Sequence, residues 1–133
     1  MQYWLLKSEP STYSWETMVK DVVTPWDGVK NHQAQKYMKS MKLGDQAFFY
    51  HSVSEKAIQG IVEICKEYYY ADDPKFGMMD VKFVKSLSNK VTLSDIKSNS
   101  LLQNMPVVKQ SRLSVSPVTE SEWNEIINMS SDE

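Results

Sequence analysis

Three extended segments follow one another in the middle of the chain, and they limit what the chain can fold into. Residues 46–52 are almost continuously apolar until the last positions, as in a strand buried on both faces. Residues 59–70 contain β-branched side chains in their first half and aromatic side chains at their end. Residues 78–84 alternate between apolar and polar side chains. Between them, residues 72–77 contain a proline and a glycine and predict a hairpin-like connection. The pattern predicts a sheet at the centre of the chain.

Helices and two further extended segments flank this centre. Residues 2–6 predict a strand that Lys7 closes, residues 22–29 predict irregular structure, and residues 107–115 predict an extended segment. The predicted helix N-caps are Ser14, Asn31, Thr92 and Thr119. After Asn31, apolar residues recur at the spacing of one buried helical stripe, and Gly44 is expected to end that helix. Repeats and linkers are lacking, so residues 1–133 predict one α+β domain around a curved mixed sheet.

The charge balance restricts the ways in which this chain could bind nucleic acid. A formal net charge of −2 and a sequence pI of about 5.7 argue against binding through a general phosphate field. A nucleic-acid site must therefore be local. Lys30, Lys36, Lys39 and Lys42 form a run without acids that could steer phosphates, although charge alone favours a solvated helix face. Arg112 is the sole arginine, and its planar guanidinium recognises partners that an ammonium does not.

Cysteine and histidine are too scarce for most metal sites. The single Cys65 excludes an internal disulfide and a thiolate cluster, and two histidines rarely hold a metal alone. We therefore expect no metal and no cofactor. The sequence shows neither a signal peptide nor a run long enough to span a membrane. These features predict a cytoplasmic protein that does not bind membranes.

The sequence offers no evident catalytic set. His51 and Ser52 are adjacent in a predicted strand, so their side chains point to opposite faces and cannot readily touch. All four glycines are isolated, which argues against a glycine-rich phosphate loop. We expect a protein that binds rather than catalyses.

The segment Trp26-Asp27-Gly28-Val29-Lys30-Asn31 places an indole beside a tight turn and before a helix N-terminus. An indole face can stack on a nucleobase, a contact worth ~1–3 kcal/mol, and N–H groups at a helix start can donate to ligand oxygens. From spacing alone, a core tryptophan followed by an Asx-type turn is the favoured interpretation.

Three other segments combine polar and aromatic residues. They are Tyr50-His51-Ser52 at a strand end, Ser111-Arg112-Leu113-Ser114 and Lys7-Ser8-Glu9-Pro10. Each also has a purely structural interpretation: a strand that reaches solvent, a surface turn, and a strand that ends in a turn, respectively.

Together, and in this order, these segments resemble the EVE domain family of the PUA-like superfamily. The matching text is Tyr3-Trp-Leu-Leu-Lys-Ser-Glu-Pro10, Trp26-Asp-Gly-Val-Lys-Asn31-His-Gln-Ala34, Met41-Lys-Leu-Gly-Asp45, Phe49-Tyr-His-Ser52 and Ser111-Arg-Leu-Ser-Val-Ser-Pro-Val118. The resemblance covers nearly the whole chain. The stretch from Ala71 to Phe76 is shorter than in many members.

The resemblance implies a PUA-like pseudo-barrel, a curved mixed β-sheet wrapped by short helices, with a pocket for a modified base. It implies that Trp26 is a stacking wall, that Ser8, Asn31 and Ser52 are polar groups of the pocket, and that Lys7 and Arg112 flank it. The predicted ligand-binding set is Lys7, Ser8, Glu9, Trp26, Asp27, Gly28, Val29, Asn31, Tyr50, His51, Ser52, Arg112, Leu113 and Ser114, with Lys30, Lys36, Lys39 and Lys42 steering phosphates.

We therefore expect a monomeric bacterial protein that holds a modified base of single-stranded or flipped nucleic acid. A 5-methylcytosine-type DNA base and a modified RNA base are both open. The alternative is a module on the same scaffold that binds a protein or a small metabolite, because one fold hosts many functions.

Overall fold

Six strands form one mixed sheet in the computed structural model, which describes residues 1–131. The strands are β1 (Tyr3–Ser8), β2 (Val23–Trp26), β3 (Gln46–His51), β4 (Ala57–Tyr69), β5 (Met78–Thr92) and β6 (Val115–Val118), and their order across the sheet is β2-β5-β4-β3-β1-β6. Strands β1 and β3 are parallel, and the other neighbouring pairs are antiparallel. The predicted α+β fold, a mixed sheet wrapped by short helices, is confirmed, and the sheet is not closed because β2 and β6 remain as edges.

Short helices cover both faces of the sheet. They are α1 (Trp15–Asp21), α2 (His32–Ser40), α3 (Leu93–Ser98), α4 (Pro106–Lys109) and α5 (Glu120–Met129), with a single 3-10 turn at Ser100–Leu102. All four predicted N-caps are confirmed, since each side chain accepts a hydrogen bond from a backbone N–H in the first turn of its helix. Within residues 1–131, no helix has the length and apolarity needed to cross a membrane.

Each strand of the sheet centre supplies two hydrophobic cores, because successive side chains point to opposite faces. In β3, Ala47 and Phe49 join the first core, whereas Phe48 and Tyr50 join the second. Helices α1 and α2 pack on the first core, and α3, α4 and α5 pack on the second. In the second core, Trp123 of α5 stacks on Phe48 with 3.9 Å between ring centroids. The prediction that β3 is buried on both faces is confirmed.

Two of the predictions for irregular and extended segments are wrong. Residues 22–29 contain strand β2, which pairs with β5 from Val23 opposite Lys82 to Trp26 opposite Met79. Pro25 suggested an irregular segment, but a proline is tolerated on an edge strand, where it interrupts no central ladder. Residues 107–115 are not extended, because α4 occupies Pro106–Lys109 and the strand begins only at Val115.

Three element ends also differ from the prediction. Strand β1 continues through Lys7 to Ser8 instead of closing at Lys7. Strand β5 continues to Thr92 rather than ending near Val84, because its far half pairs with the start of β4. Helix α2 ends at Ser40, and Gly44 lies in the following turn with a φ of +89°, a conformation that glycine adopts without strain.

Asp45 ties the start of β1 to the turn after α2. The side chain is 4% exposed, and its carboxylate accepts hydrogen bonds from Trp4 Nε1 at 3.1 Å, Gln2 N at 3.2 Å and Lys42 N at 3.1 Å. These three bonds depend on one residue. Removing its carboxylate would leave a buried donor without a partner and with the full cost of leaving water.

We predict that Asp45→Ala lowers the free energy of unfolding by about 1–3 kcal/mol, because it leaves the indole N–H of Trp4 buried without an acceptor. Urea denaturation measures the change. Asp72→Ala is the control, since Asp72 is an exposed aspartate in the β4–β5 connection, and it should change stability little. Equal stability of the two variants would show that Asp45 does not have this role.

Candidate functional site

The parallel pairing of β1 with β3 brings three of the four predicted segments to one edge of the sheet. Lys7 lies opposite Tyr50 and Ser8 opposite His51 in the register of the two strands. Beyond the strand end, Ser52 N donates to Ser8 O at 2.9 Å. On the other side of β1, Lys7 N donates to Ser114 O at 2.9 Å. The ends of β1 and β3 and the segment before β6 are therefore neighbours.

A cavity of about 500 Å³ lies between the end of β1 and the loop that follows β2, and it is called here the first cavity. Its lining includes Lys7, Ser8, Glu9, Trp26, Asp27, Gly28, Val29, Lys30, Asn31 and Ser114 among the predicted residues. Sequence reasoning missed Thr12, Tyr13, Thr24 and Pro25, which also line it. Strands β1 and β2 are separated by three strands in the sheet, so only its curvature brings their ends together.

Trp26 belongs both to the first core and to the wall of the first cavity. The side chain is 7% exposed, and its ring meets Phe49 edge-on with 5.5 Å between centroids. The ring of Tyr13 also packs on Phe49, at 6.4 Å, and completes the aromatic part of the lining. The two interpretations of Trp26 in the sequence, core residue and wall, are thus compatible in this geometry.

Polar groups of the first cavity are held in place by bonds within the protein. Ser8 Oγ donates to Tyr13 O at 2.5 Å, so the hydroxyl keeps its lone pairs for a donor in the cavity. Asn31 Oδ1 accepts from Ala34 N at 2.9 Å as the cap of α2, which leaves the amide NH₂ for an acceptor. Tyr13 OH donates to Asp21 at 2.9 Å, and burial raises the pKa of this phenol.

A buried glutamine fixes the position of the loop after β2, and sequence reasoning missed it. Gln35 is 3% exposed, and its Nε2 donates to Val29 O at 2.8 Å and to Gly77 O at 3.0 Å. Its Oε1 accepts from Gly77 N at 3.2 Å and from the hydroxyl of Tyr68. The only sequence signal was a polar residue beside the apolar stripe of α2. Gln35 therefore joins the cavity wall at Val29 to the base of the β4–β5 connection.

The predicted residues Tyr50, Ser52 and Arg112 do not line the first cavity. They line an adjacent cavity of about 460 Å³, called here the second cavity, together with Lys56. The two cavities share Lys7, Glu9 and Ser114. The single pocket predicted from the sequence is thus divided in two in the structure, because the side chain of Lys7 lies at the boundary.

Lys7 is held firmly at this boundary. Its Nζ donates to Ser111 O at 2.9 Å and lies 5.9 Å from the centre of the Tyr50 ring. Burial lowers the pKa of Lys7, and the charge of Lys56 lowers it further. Burial also raises the pKa of Tyr50. The two lysines repel each other across the second cavity, an arrangement that an anion would stabilise.

His51 and Leu113 were predicted to bind ligand, but the structure places both inside the protein. His51 is 5% exposed, its Nε2 accepts from Trp15 N at 2.9 Å, and its Nδ1 lies 3.3 Å from Glu55 Oε1. The imidazole thus holds the start of α1 on the end of β3. Leu113 is 4% exposed and packs in the first core. Neither residue lines the first or the second cavity.

The predicted phosphate-steering lysines do not share one position. Lys30 lines the first cavity, whereas Lys36, Lys39 and Lys42 are exposed on α2 and in the turn after it, outside both cavities. Lys39 Nζ lies 5.6 Å from the centre of the Tyr68 ring. Within residues 1–131, no group of three or more His, Cys, Asp or Glu side chains could hold a metal ion.

The two cavities together are cationic although the protein is acidic. Four cationic side chains line them, Lys7, Lys30, Lys56 and Arg112, against the carboxylates of Glu9 and Asp27. The chain as a whole has a net charge of −2. A local positive field of this kind draws an anionic ligand to the cavities without making the whole surface attractive to it.

Comparisons with known proteins agree with this architecture. Thymocyte nuclear protein 1 of Gallus gallus is 35% identical over 96% of this chain and 68% of its own length. A Rhodopseudomonas palustris protein solved by NMR superposes with a TM-score of 0.93 at 44% identity, covering 98% of this chain and 93% of the other. The crystal structure of human THYN1 protein, in complex with DNA that contains 5-methylcytosine, superposes with a TM-score of 0.87 at 31% identity, covering 100% and 99%.

The model of one protein family matches almost the whole chain. The match extends over residues 2–129 and thus includes every strand, every helix and both cavities. With the identity to the thymocyte nuclear protein, this match shows that the chain belongs to the EVE domain family.

Proposed function

We propose that this chain is a non-catalytic nucleic-acid-binding module that recognises a modified base in the first cavity. The observation that carries the proposal is the cavity of about 500 Å³ walled by Trp26 and Tyr13, with polar groups of Ser8 and Asn31 beside them. The human THYN1 protein, which has the same fold, was crystallised with DNA that contains 5-methylcytosine. A 5-methylcytosine base is therefore the first candidate ligand.

The size and lining of the first cavity suit one nucleobase taken out of its stack. Extruding a base costs a few kcal/mol, which stacking on an aromatic wall and hydrogen bonds at the base edge must offset. One stacked base contributes ~1–3 kcal/mol. Ser8 offers an acceptor and Asn31 a donor, which together match the mixed donor and acceptor edge of a cytosine.

The charge distribution favours recognition of a base over binding of the phosphate backbone. Glu9 and Asp27 line the first cavity beside Lys7 and Lys30, so the cavity does not present a purely cationic surface. Phosphate contacts position a nucleic acid, whereas contacts to the base give specificity. A single-stranded or flipped nucleotide would place its base in the cavity and its phosphates near the lysines at the rim.

We predict that Trp26→Phe weakens binding to a single-stranded DNA oligonucleotide with one 5-methylcytosine, because a smaller ring stacks over less of the base. The loss should lie within ~1–3 kcal/mol, and fluorescence anisotropy titrations measure it. Trp15→Phe is the matched control. Trp15 is also 7% exposed and packs on Phe49 at 5.0 Å, but it lines neither cavity.

Both tryptophan variants should lose similar stability, so a difference in affinity reports on the cavity. Equal affinity of the two variants would contradict the role of Trp26. Equal affinity of the wild-type protein for 5-methylcytosine and cytosine would contradict recognition of this modification. Absence of binding to either base, in DNA and in RNA, would overturn the proposed function and favour the protein-binding or metabolite-binding alternative.

We predict that replacing Lys36, Lys39 and Lys42 together by Gln flattens the dependence of affinity on salt concentration. Each lost contact to a single strand should reduce the slope of log K against log salt by about 0.7, measured between 50 and 200 mM salt. Replacing Lys20, Lys85 and Lys97 by Gln removes the same charge from other exposed positions and serves as the control. Slopes that fall equally in both triple variants would show a general charge effect instead of steering by the α2 surface.

A further inference from the structure

The second cavity adjoins the first and is built from different chemistry. Its volume is about 460 Å³, and Lys7, Glu9 and Ser114 form the wall common to both cavities. Apolar side chains of Tyr50, Val53, Leu93 and Val107 make up one part of its lining. A cavity of this size and lining is within the range that binds small organic molecules, and it is larger than a phosphate alone requires.

Three cationic side chains and one carboxylate, Glu9, line the second cavity. The cations are Lys7, Lys56 and Arg112, and none of them forms an ion pair with a carboxylate in residues 1–131. Burial lowers the pKa of Lys7, and the nearby charge of Lys56 lowers it further. Unpaired cations that face one another beside an apolar surface suit a ligand with both an anionic and an apolar part.

Lys7 lines both cavities, and two hydrogen bonds hold it in position. Its Nζ is held by Ser111 O at 2.9 Å, and its backbone N–H is held by Ser114 O at 2.9 Å. The ammonium has three donor hydrogens, so this contact leaves two of them for a ligand. A phosphate between two bound groups, one in each cavity, would lie within reach of this ammonium.

We propose that the second cavity binds the nucleotide next to the one held in the first cavity, with the connecting phosphate at Lys7. The inference rests on the proposed function and extends it, because the protein would then recognise a dinucleotide step instead of an isolated base. The neighbouring base lies against the apolar lining, while Lys56 and Arg112 contact its phosphate. Proteins that flip bases commonly gain sequence context from such flanking nucleotides.

Abasic probes test this proposal directly. Three single-stranded DNA oligonucleotides carry one internal 5-methylcytosine: one is intact, one lacks the base on the 5′ side, and one lacks the base on the 3′ side. Each has a matched partner with unmodified cytosine. We expect removal of the base on one side to weaken binding by about tenfold, because the apolar lining of the second cavity loses its contact with that base, and removal on the other side to have little effect.

Substitutions in the lining of the second cavity test whether the abasic effect arises there. Arg112→Ala and Lys56→Gln should reduce affinity for the intact probe and shrink the difference between intact and abasic probes. The affinity ratio between 5-methylcytosine and cytosine should persist in both, because that ratio depends on the first cavity. Lys97→Gln on α3 removes the same charge from a residue that lines neither the first nor the second cavity, and it should behave as wild type.

The outcomes separate this inference from the proposed function. A persistent 5-methylcytosine preference with no effect of either abasic site would overturn the second-cavity inference alone. A one-sided abasic effect without any preference for 5-methylcytosine would support the second cavity and contradict the modified-base proposal. Absence of binding to every probe, in DNA and in the equivalent RNA set, would overturn both.

Discussion

The parallel pairing of β1 with β3 is the constraint on which the site depends. Parallel neighbours need a long crossover connection, and here residues 9–45 provide it. The crossover contains α1, β2 and α2, which cover the first core, and also the loop from Trp26 to Asn31 that walls the first cavity. In open sheets, ligands often bind beyond the carboxyl ends of parallel strands, and both cavities of this protein lie there.

The sequence predicted the elements whose signals are local. Capping residues such as Thr119 and the apolar run of β3 depend on nearest neighbours, and these predictions are confirmed. Strand β2 was missed because pairing with β5 overrides the turn signal of Pro25. The segments named by the resemblance line two cavities, a division that the sequence did not predict, since the position of the Lys7 ammonium depends on a carbonyl more than 100 residues away. His51 lies outside both cavities for a similar reason: its partner, the backbone of Trp15, belongs to another element.

Apolar packing and charged side chains lie in different parts of this molecule. The interior of the sheet contributes stability through two cores, which take up nearly all the large apolar side chains of β1, β3 and the first half of β4. The strand ends, in contrast, carry cationic side chains that gain little from one another and form no ion pairs in the described part of the chain. The packing of the two cores offsets the unfavourable repulsion between these cations.

The buried Gln35 has a consequence for how this scaffold can change. Its amide is bonded to Gly77 just before β5, to the hydroxyl of Tyr68 on β4, and to the carbonyl of Val29. The tip of that connection, residues 71–75, is exposed and lies beyond this anchor. Insertions at the tip could therefore accumulate during evolution, or be grafted by design, without moving the wall of the first cavity. The amide separates the exposed tip from the cavity wall, so a change of sequence or length at the tip need not alter the shape of the cavity.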